Sequence, residues 1–345
     1  MDIGRTDAYE VMSAHSTNQE SGAFESESGS HPVSVSIMVV SYNTREMTLE
    51  CLRSLQKEAA GLEYELLFLD NASSDDSFEA VEAEFGDTPR FNLKHSRENL
   101  GFAKANNQLA LEARGEFLLL LNPDTVVLED AIQNLLRFAQ KKRERLIWGG
   151  RTITADGTLD KRSCCGSLTL LGLFFRTTGI KKLFHASEFF NSEEIGSWNR
   201  DTEREVGWIT GCFMLIERAL WNRLDGFAPA FFMYGEEAEM QIRARKLGAR
   251  PTLTPEATII HHGHGSSTTL WKTRAKIMRG EITIINYHWK KPAGWAGRKL
   301  IYINAFTRYL SFNILAKLNR QAGAVERAKE WTDLWKNRKE WLKGY

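Results

Sequence analysis

The sequence lacks most of the features that mark specialised classes of protein. Its 345 residues include only four cysteines and seven prolines, and 45 basic against 44 acidic side chains leave a formal net charge of +1. Cys51, Cys164, Cys165 and Cys212 form no CxxC pair and no His/Cys zinc spacing. This argues against a disulfide scaffold or a zinc finger and reads as reduced thiols in a cytoplasmic protein. The near-zero charge offers no global attraction to nucleic acid. The longest apolar stretch, Leu300 to Ala316, is shorter than a membrane span and is interrupted by Asn304, Arg308 and Asn313, so it could lie on a membrane without crossing it. Asp2, Asp7 and Glu10 stand where a secretory signal would carry basic residues, and no apolar run follows, which points away from export. Neither a Walker A loop nor a GxGxxG loop follows the first apolar segment, which argues against a P-loop nucleotidase and a dinucleotide oxidoreductase.

What is present is the composition of a globular protein, 42% hydrophobic and 26% charged, with length for one large α/β domain with additions or for two modest domains. The balanced charge hides an asymmetry. Lys272 to Tyr345 holds 17 basic and 5 acidic residues, a surplus of +12, whereas Met1 to Trp271 holds 28 and 39, or −11. Trp289, Trp295, Trp331, Trp335 and Trp341 are interleaved with those basic residues in what reads as helix. Such a segment is either a solvated helical face or a surface for a polyanion, such as anionic lipid or a diphosphate-bearing substrate.

Residues 1–31 are Ser/Glu-rich and poor in large apolar groups, and are expected to form a disordered tail. From Val33 short apolar runs alternate with helix-like segments, the rhythm of a mostly parallel sheet flanked by helices. SVSIMVVSYN, YELLFLDN, FNLKHS and FLLLLN read as the first four strands, with helices between them and a third helix ending near Gly115. GWITGCFMLIERAL reads as a buried strand and helix, and EEAEMQIRARKLG as a helix closed by Gly248. The expected organisation is therefore a tail (1–31), an α/β domain (32–271) and a basic, tryptophan-rich helical extension (272–345).

Polar residues gather where strands end: Ser41, Tyr42 and Asn43 after the first, Asp70 and Asn71 after the second, Asn122 and Asp124 after the fourth. In open α/β sheets the ligand crevice lies outside the carboxyl ends of the strands, so these residues should converge on one site. Such a site suits a nucleotide ribose and a hard cation with its phosphates. Asp70 reads equally well as a turn and helix cap. Glu236, Glu237 and Glu239 cluster at a helix start after an aromatic run, either as favourable charge at the helix N-terminus or as a general base. His261, His262 and His264 follow an apolar strand and could supply an imidazole ligand to a metal.

The ordered set VVSYNT, LDNASSD, NLGFAKANN, LNPDT, WITGCFMLI, FFMYGEEAEM and HHGHGSS resembles the family 2 glycosyltransferases of the GT-A fold, most of all their rhamnosyltransferase-like branch, over about Val33 to Thr269. The resemblance implies that Ser41, Tyr42, Asn43 and Asp70 hold the nucleoside, with Asn99, Gly101, Asn106 or Asn107 and Asn122 lining the donor cleft. It implies that Asp124, in Asn122-Pro123-Asp124, is the principal ligand to Mg²⁺ or Mn²⁺ on the donor diphosphate. A histidine of the H-x-x-G-x-S element would join it, His261 or His262, with His261 favoured. Glu236-Glu237 stands where the family usually has Glu-Asp, which selects Glu237 as base with Glu236 beside it. Trp208, Gly211 and Glu239 fall on the acceptor side.

The implied activity is inverting transfer of a sugar, such as rhamnose, from a nucleotide-diphosphate donor to a hydroxyl of a glycan or polyprenyl-diphosphate-linked acceptor in cell-surface polysaccharide synthesis. The implied location is the cytoplasm, at the inner face of the membrane where an anionic surface is available. A non-catalytic nucleotide-sugar-binding protein is the alternative. A sugar-1-phosphate nucleotidyltransferase would need a glycine-rich basic loop where this chain has SYNT.

Overall fold

Strands β1 (Val35–Ser41), β2 (Tyr64–Asp70) and β4 (Phe117–Leu121) are almost unbroken apolar runs, and every residue in them is buried, as strands covered on both faces require. The computed structural model describes residues 33–263, 269–318 and 322–345. The tail expected over 1–31 and the third histidine, His264, lie outside the described residues.

Helix α1 (Arg45–Glu58) connects β1 to β2, and α2 (Ser77–Phe85) leads to β3 (Phe91–His95). Helix α3 (Gly101–Ala110) precedes β4. The helix ends earlier than Gly115 because the N–H groups of Glu112 and Ala113 turn back to the carbonyls of Leu109 and Ala110, a tightened last turn that tucks Ala113 into the core. β3, β2, β1 and β4 pair in parallel, so Ser41, Asp70, His95 and Leu121 end along one edge.

Beyond β4 the chain continues through β5 (Thr125–Val127), α4 (Ala131–Lys141), β6 (Ile147–Ile153), β7 (Leu159–Asp160) and β8 (Cys164–Cys165). Helices α5 (Leu170–Thr178) and α6 (Ile180–Leu183) lie in the irregular middle of the chain, before β9 (Arg204–Glu205), β10 (Trp208–Ile209) and β11 (Phe213–Glu217). Helices α7 (Arg218–Arg223) and α8 (Glu236–Lys246) precede the long β12 (Thr252–His261). The main sheet runs β3-β2-β1-β4-β11-β6-β12-β5. It is mostly parallel but mixed, because β11 lies antiparallel between β4 and β6. This is the GT-A arrangement.

The C-terminal helices are α9 (Leu270–His288), α10 (Ala293–Leu318), α11 (Ala322–Lys336) and α12 (Arg338–Trp341). Ile284 of α9 packs in the same apolar cluster as Met38, Leu120 and Met214 of the sheet, and the Tyr345 hydroxyl donates to the carbonyl of Met233. Pro32–Tyr345 form one compact unit. Most of the tail tryptophans point inward. Trp331 and Trp341 are buried with Ile282, Ile301 and Leu334, Trp289 packs against that cluster, and Trp335 stacks on Tyr309 with ring centroids 5.8 Å apart. Trp295 is the exposed one.

Candidate functional site

A cleft of about 580 Å³ opens at the carboxyl edge of the sheet, lined by Tyr42, Asn71, Asn99, Asn122, Asp124, Trp208, Glu236, Glu237 and His261 among others. Residues far apart in sequence meet here because parallel strands end together and β12 returns alongside them.

The Asp124–His261 side is set by strand register. β4 stops at Asn122-Pro123-Asp124, because proline cannot continue a central ladder. The chain re-enters the sheet as β5, which pairs antiparallel with β12 so that His261 lies opposite Thr125. His261 Nε2 then stands 3.6 Å from Asp124 Oδ1. Successive side chains of a strand point to opposite faces. His262 therefore turns the other way, with its Nε2 3.7 Å from Glu50 of α1, and its backbone N–H donates to the Asp124 carbonyl. Read strictly, H-x-x-G-x-S fits His262, Gly265 and Ser267. Geometry nonetheless brings His261, and not His262, to Asp124.

Behind His261, Asp160 Oδ2 accepts from Nδ1 at 3.2 Å, and Asp160 is held in turn by Arg162 at 2.8 Å. A carboxylate behind a histidine fixes its ring and tautomer, a common support for a metal ligand. Burial alone would lower the proton affinity of His261, but its neighbours Cys212, Asp124 and Asp160 outweigh burial and raise it above the ordinary imidazole value. Burial would likewise raise Asp124, and the His261 partner holds its carboxyl below the usual range instead. Among the described residues no group of three His, Cys, Asp or Glu side chains is disposed around a metal. When a cation displaces the Nε2 proton of His261, the carboxylate and the neutral imidazole fit a cation whose remaining ligands are substrate phosphates and water, the usual way Mg²⁺ is bound.

The opposite wall is the start of α8. Gly235 has φ 102°, a conformation that favours glycine, and lets the chain turn from Phe231 into the helix while packing closely against Gly280 of α9. Glu236 is buried, and its Oε2 has no hydrogen-bond partner. Desolvation, followed by the neighbouring Glu237 charge, raises its proton affinity well above the ordinary carboxylate value. Glu237 is partly exposed to the cleft, its Oε1 accepts from the Gly211 N–H at 3.2 Å, and desolvation raises it too.

The side of the cleft where a nucleoside is expected is built by two interlocked loops. Asn43 Oδ1 accepts from the Ser74 N–H at 2.7 Å, and the Asn43 N–H donates to Ser73 Oγ at 2.9 Å. Asp70 combines both sequence readings: Oδ2 accepts from the Ser73 N–H at 2.9 Å, a turn role, while buried Oδ1 has no partner. Asn71 bridges Asn99 and the Leu100 N–H. Gly101 has φ 76°, and a Cβ there would strike the Phe232 carbonyl, which accepts from the Phe102 N–H.

Four expected site residues are placed elsewhere. Ser41 is fully buried, with its hydroxyl shared between Thr44 and Thr48. Asn106 turns its amide onto the Phe102 carbonyl within α3, and Asn107 braces both the N–H and the carbonyl of Phe227. Glu239 lies one helical step off the cleft, clamped by Arg243 at 2.9 Å and His288 at 3.0 Å, beside a separate pocket of about 450 Å³. Conversely, sequence reasoning missed Asp160 and Arg162, whose only signal is an undistinguished LDKRS. It also missed Arg176, Lys181 and Glu281, which line the cleft from α5, α6 and α9.

The cleft thus brings a carboxylate–histidine pair and a buried acidic helix start together at the carboxyl edge of a GT-A sheet. Residues 36–194 match the model of glycosyl transferase family 2. It is 28% identical over 196 residues to glycosyltransferase GlyG of Streptococcus pneumoniae serotype 4, covering 55% of this chain and 58% of that protein. It is 34% identical over 61 residues to the N-acetylglucosaminyl-diphospho-decaprenol L-rhamnosyltransferase of Mycobacterium tuberculosis, covering 18% and 20%. The chain thus spans less than two thirds of the length of these curated relatives. The fold is similar to that of a mannosyltransferase from Pyrobaculum calidifontis, solved with GDP-Man and Mn²⁺, with a TM-score of 0.54 at 14% identity over 87% of this chain and 84% of that one.

Proposed function

We propose that the protein is a metal-assisted, inverting glycosyltransferase that moves a sugar from a nucleotide-diphosphate donor to an acceptor hydroxyl. The observation that carries this reading is the opening of Asp124–His261 and Glu236–Glu237 into one cleft beside the nucleoside loops. Tyr42, Asn71 and Asn99 hold the nucleoside end, and the free oxygen of Asp70 accepts from it. Asp124 and His261 hold the cation, with Asp160 keeping the imidazole in place. When bound, Mg²⁺ or Mn²⁺ supplies positive charge to the departing diphosphate.

Glu237 takes the proton of the attacking hydroxyl. Its raised proton affinity suits a base that works near neutral pH, and the Gly211 N–H fixes one oxygen so that the other faces the acceptor. Glu236, more deeply buried, stays protonated and keeps a second negative charge away from the base. The donor sugar read from the relatives is rhamnose, and the acceptor a polyprenyl-diphosphate-linked glycan at the cytoplasmic membrane face, in line with the name of the mycobacterial relative.

The test is thermal stabilisation across a panel of nucleotide sugars with and without Mn²⁺, followed by turnover with the best binder. Metal-dependent stabilisation by a nucleotide sugar and release of nucleoside diphosphate are expected. Stabilisation without turnover on any hydroxyl acceptor would assign the chain as a nucleotide-sugar-binding protein instead.

A further inference from the structure

Helix α10 is the largest element that the cleft does not use. From Ala293 to Leu318 it carries no acidic residue and is apolar around most of its circumference. One side is covered, with Gly297, Ile301 and Ala305 buried and the helix tied to α5 by Thr177 Oγ1 on the Leu300 carbonyl and Asn304 Nδ2 on the Arg176 carbonyl. On the other side Ile303, Phe306, Leu310 and Ile314 follow at helical spacing and are 43, 38, 41 and 56% exposed. A helix that is apolar all round ordinarily lies in a protein core or in lipid. Among the described residues no helix is long and apolar enough to cross a membrane.

The charge on this stripe has one sign. Lys299 and Lys317 fall on the stripe itself, and the Lys299 ammonium sits 5.9 Å from the ring centroids of both Trp295 and Tyr302. Lysine stems of this kind can lie along an apolar surface while the head reaches phosphate. Arg308 shares the covered side of the helix with Ile301 and Ala305, and there its charge, with burial and the charge of Arg327 of α11, holds down the proton affinity of Lys182 of α6. None of these three has an ion-pair partner among the described residues. Leu183 and Phe184, next to Lys182, are exposed as well.

We propose that the outer face of α10, the Ile303–Ile314 row with Lys299 and Lys317, is a docking surface for an anionic phospholipid bilayer. The apolar row enters the acyl boundary, and Lys299 and Lys317 meet lipid phosphates. A water-exposed face lacking acidic groups and carrying basic groups fits an anionic leaflet better than a neutral one. The inference goes beyond sugar transfer and stands whether or not that reading holds.

The test is flotation of the full chain with vesicles of zwitterionic lipid alone or with roughly a third anionic lipid. The wild type is expected to float with anionic vesicles, to release at high salt, and to stay behind with neutral ones. Leu310→Glu with Ile314→Glu changes solvent-facing positions and is expected to weaken binding on the order of tenfold or more while leaving thermal unfolding and donor-induced stabilisation unchanged. Lys299→Gln with Lys317→Gln is expected to cost about fivefold per charge removed. Absence of vesicle binding by the wild type, or binding by the first variant equal to it, overturns the proposal. So does a dimer of the wild type in solution that the first variant converts to monomer, which would assign the stripe to a second copy of the chain.

Discussion

Asp124, at the end of β4, and Glu236, at the start of α8, are both almost fully buried and open into one cleft, yet their surroundings drive their proton affinities apart. Desolvation acts on both in the same direction. Asp124 has His261 at 3.6 Å, an opposite charge that more than offsets burial and keeps the carboxylate ionised. Glu236 has Glu237 as its neighbour and an oxygen without a partner, so like charge adds to desolvation and keeps it protonated. Thus two carboxyl groups of one cleft have their proton affinities driven in opposite directions, which in the proposed function suits one to hold a cation and the other to sit beside the base.

The strongest way to break this contrast is Asp124→Ala. Removing the main charged oxygen beside His261 should lower turnover on the order of 10³-fold or more while the far-UV circular dichroism spectrum stays that of the folded chain. Undiminished turnover would remove Asp124 from the metal role.

The next largest effect is expected at Glu237. Glu237→Gln should lose roughly 10²–10⁴-fold in turnover while donor-induced stabilisation in Mn²⁺ is retained. Glu239→Gln is its control on the same helix. It breaks a clamp to Arg243 and His288 outside the cleft, so it should cost about 1–3 kcal/mol of stability in thermal unfolding and little turnover. Wild-type turnover in Glu237→Gln, or a defect due wholly to donor binding, would place the base elsewhere.

The smallest effect sharpens the comparison through pH. A carboxyl whose folded proton affinity is raised holds more protons folded than unfolded above its ordinary value of 4.5, so stability falls as pH rises through that window. The slope is at most about 1.4 kcal/mol per pH unit for one group. Glu236→Gln mimics the protonated form and should therefore match the wild type near pH 4.5 and become progressively more stable than it toward neutral pH. Parallel Tm profiles for the two proteins would show that Glu236 titrates normally.

The readings that held in the sequence are those carried by local chemistry. β1, β2 and β4 were legible because strands buried on both faces must be apolar throughout, and the polar residues after them had to meet because parallel strands end together. Asp124 was legible because a carboxylate after a buried strand and a proline turn has few structural duties. What sequence could not carry were choices between neighbours. His261 and His262 differ by one position, and only the β5–β12 register, with side chains alternating between faces, sends one to Asp124 and the other to Glu50. Asn106 and Asn107 sit in a donor-side motif, yet the helix turns their amides onto backbone carbonyls.

Length, composition and the order of short motifs by themselves determined the α/β class, the resemblance to family 2 glycosyltransferases, and the basic character of the C-terminal segment. Tertiary structure alone decided the Asp160 support behind His261, the separation of Glu239 from the cleft, and which apolar residues of the C-terminal helices remain outside. The tryptophans and the Ile303–Ile314 row are equally apolar in the sequence. Only packing of α9, α10 and α11 buries Trp331 and Trp341 and leaves the α10 row exposed, because burial is a property of neighbours brought together across the fold and not of a residue's own chemistry.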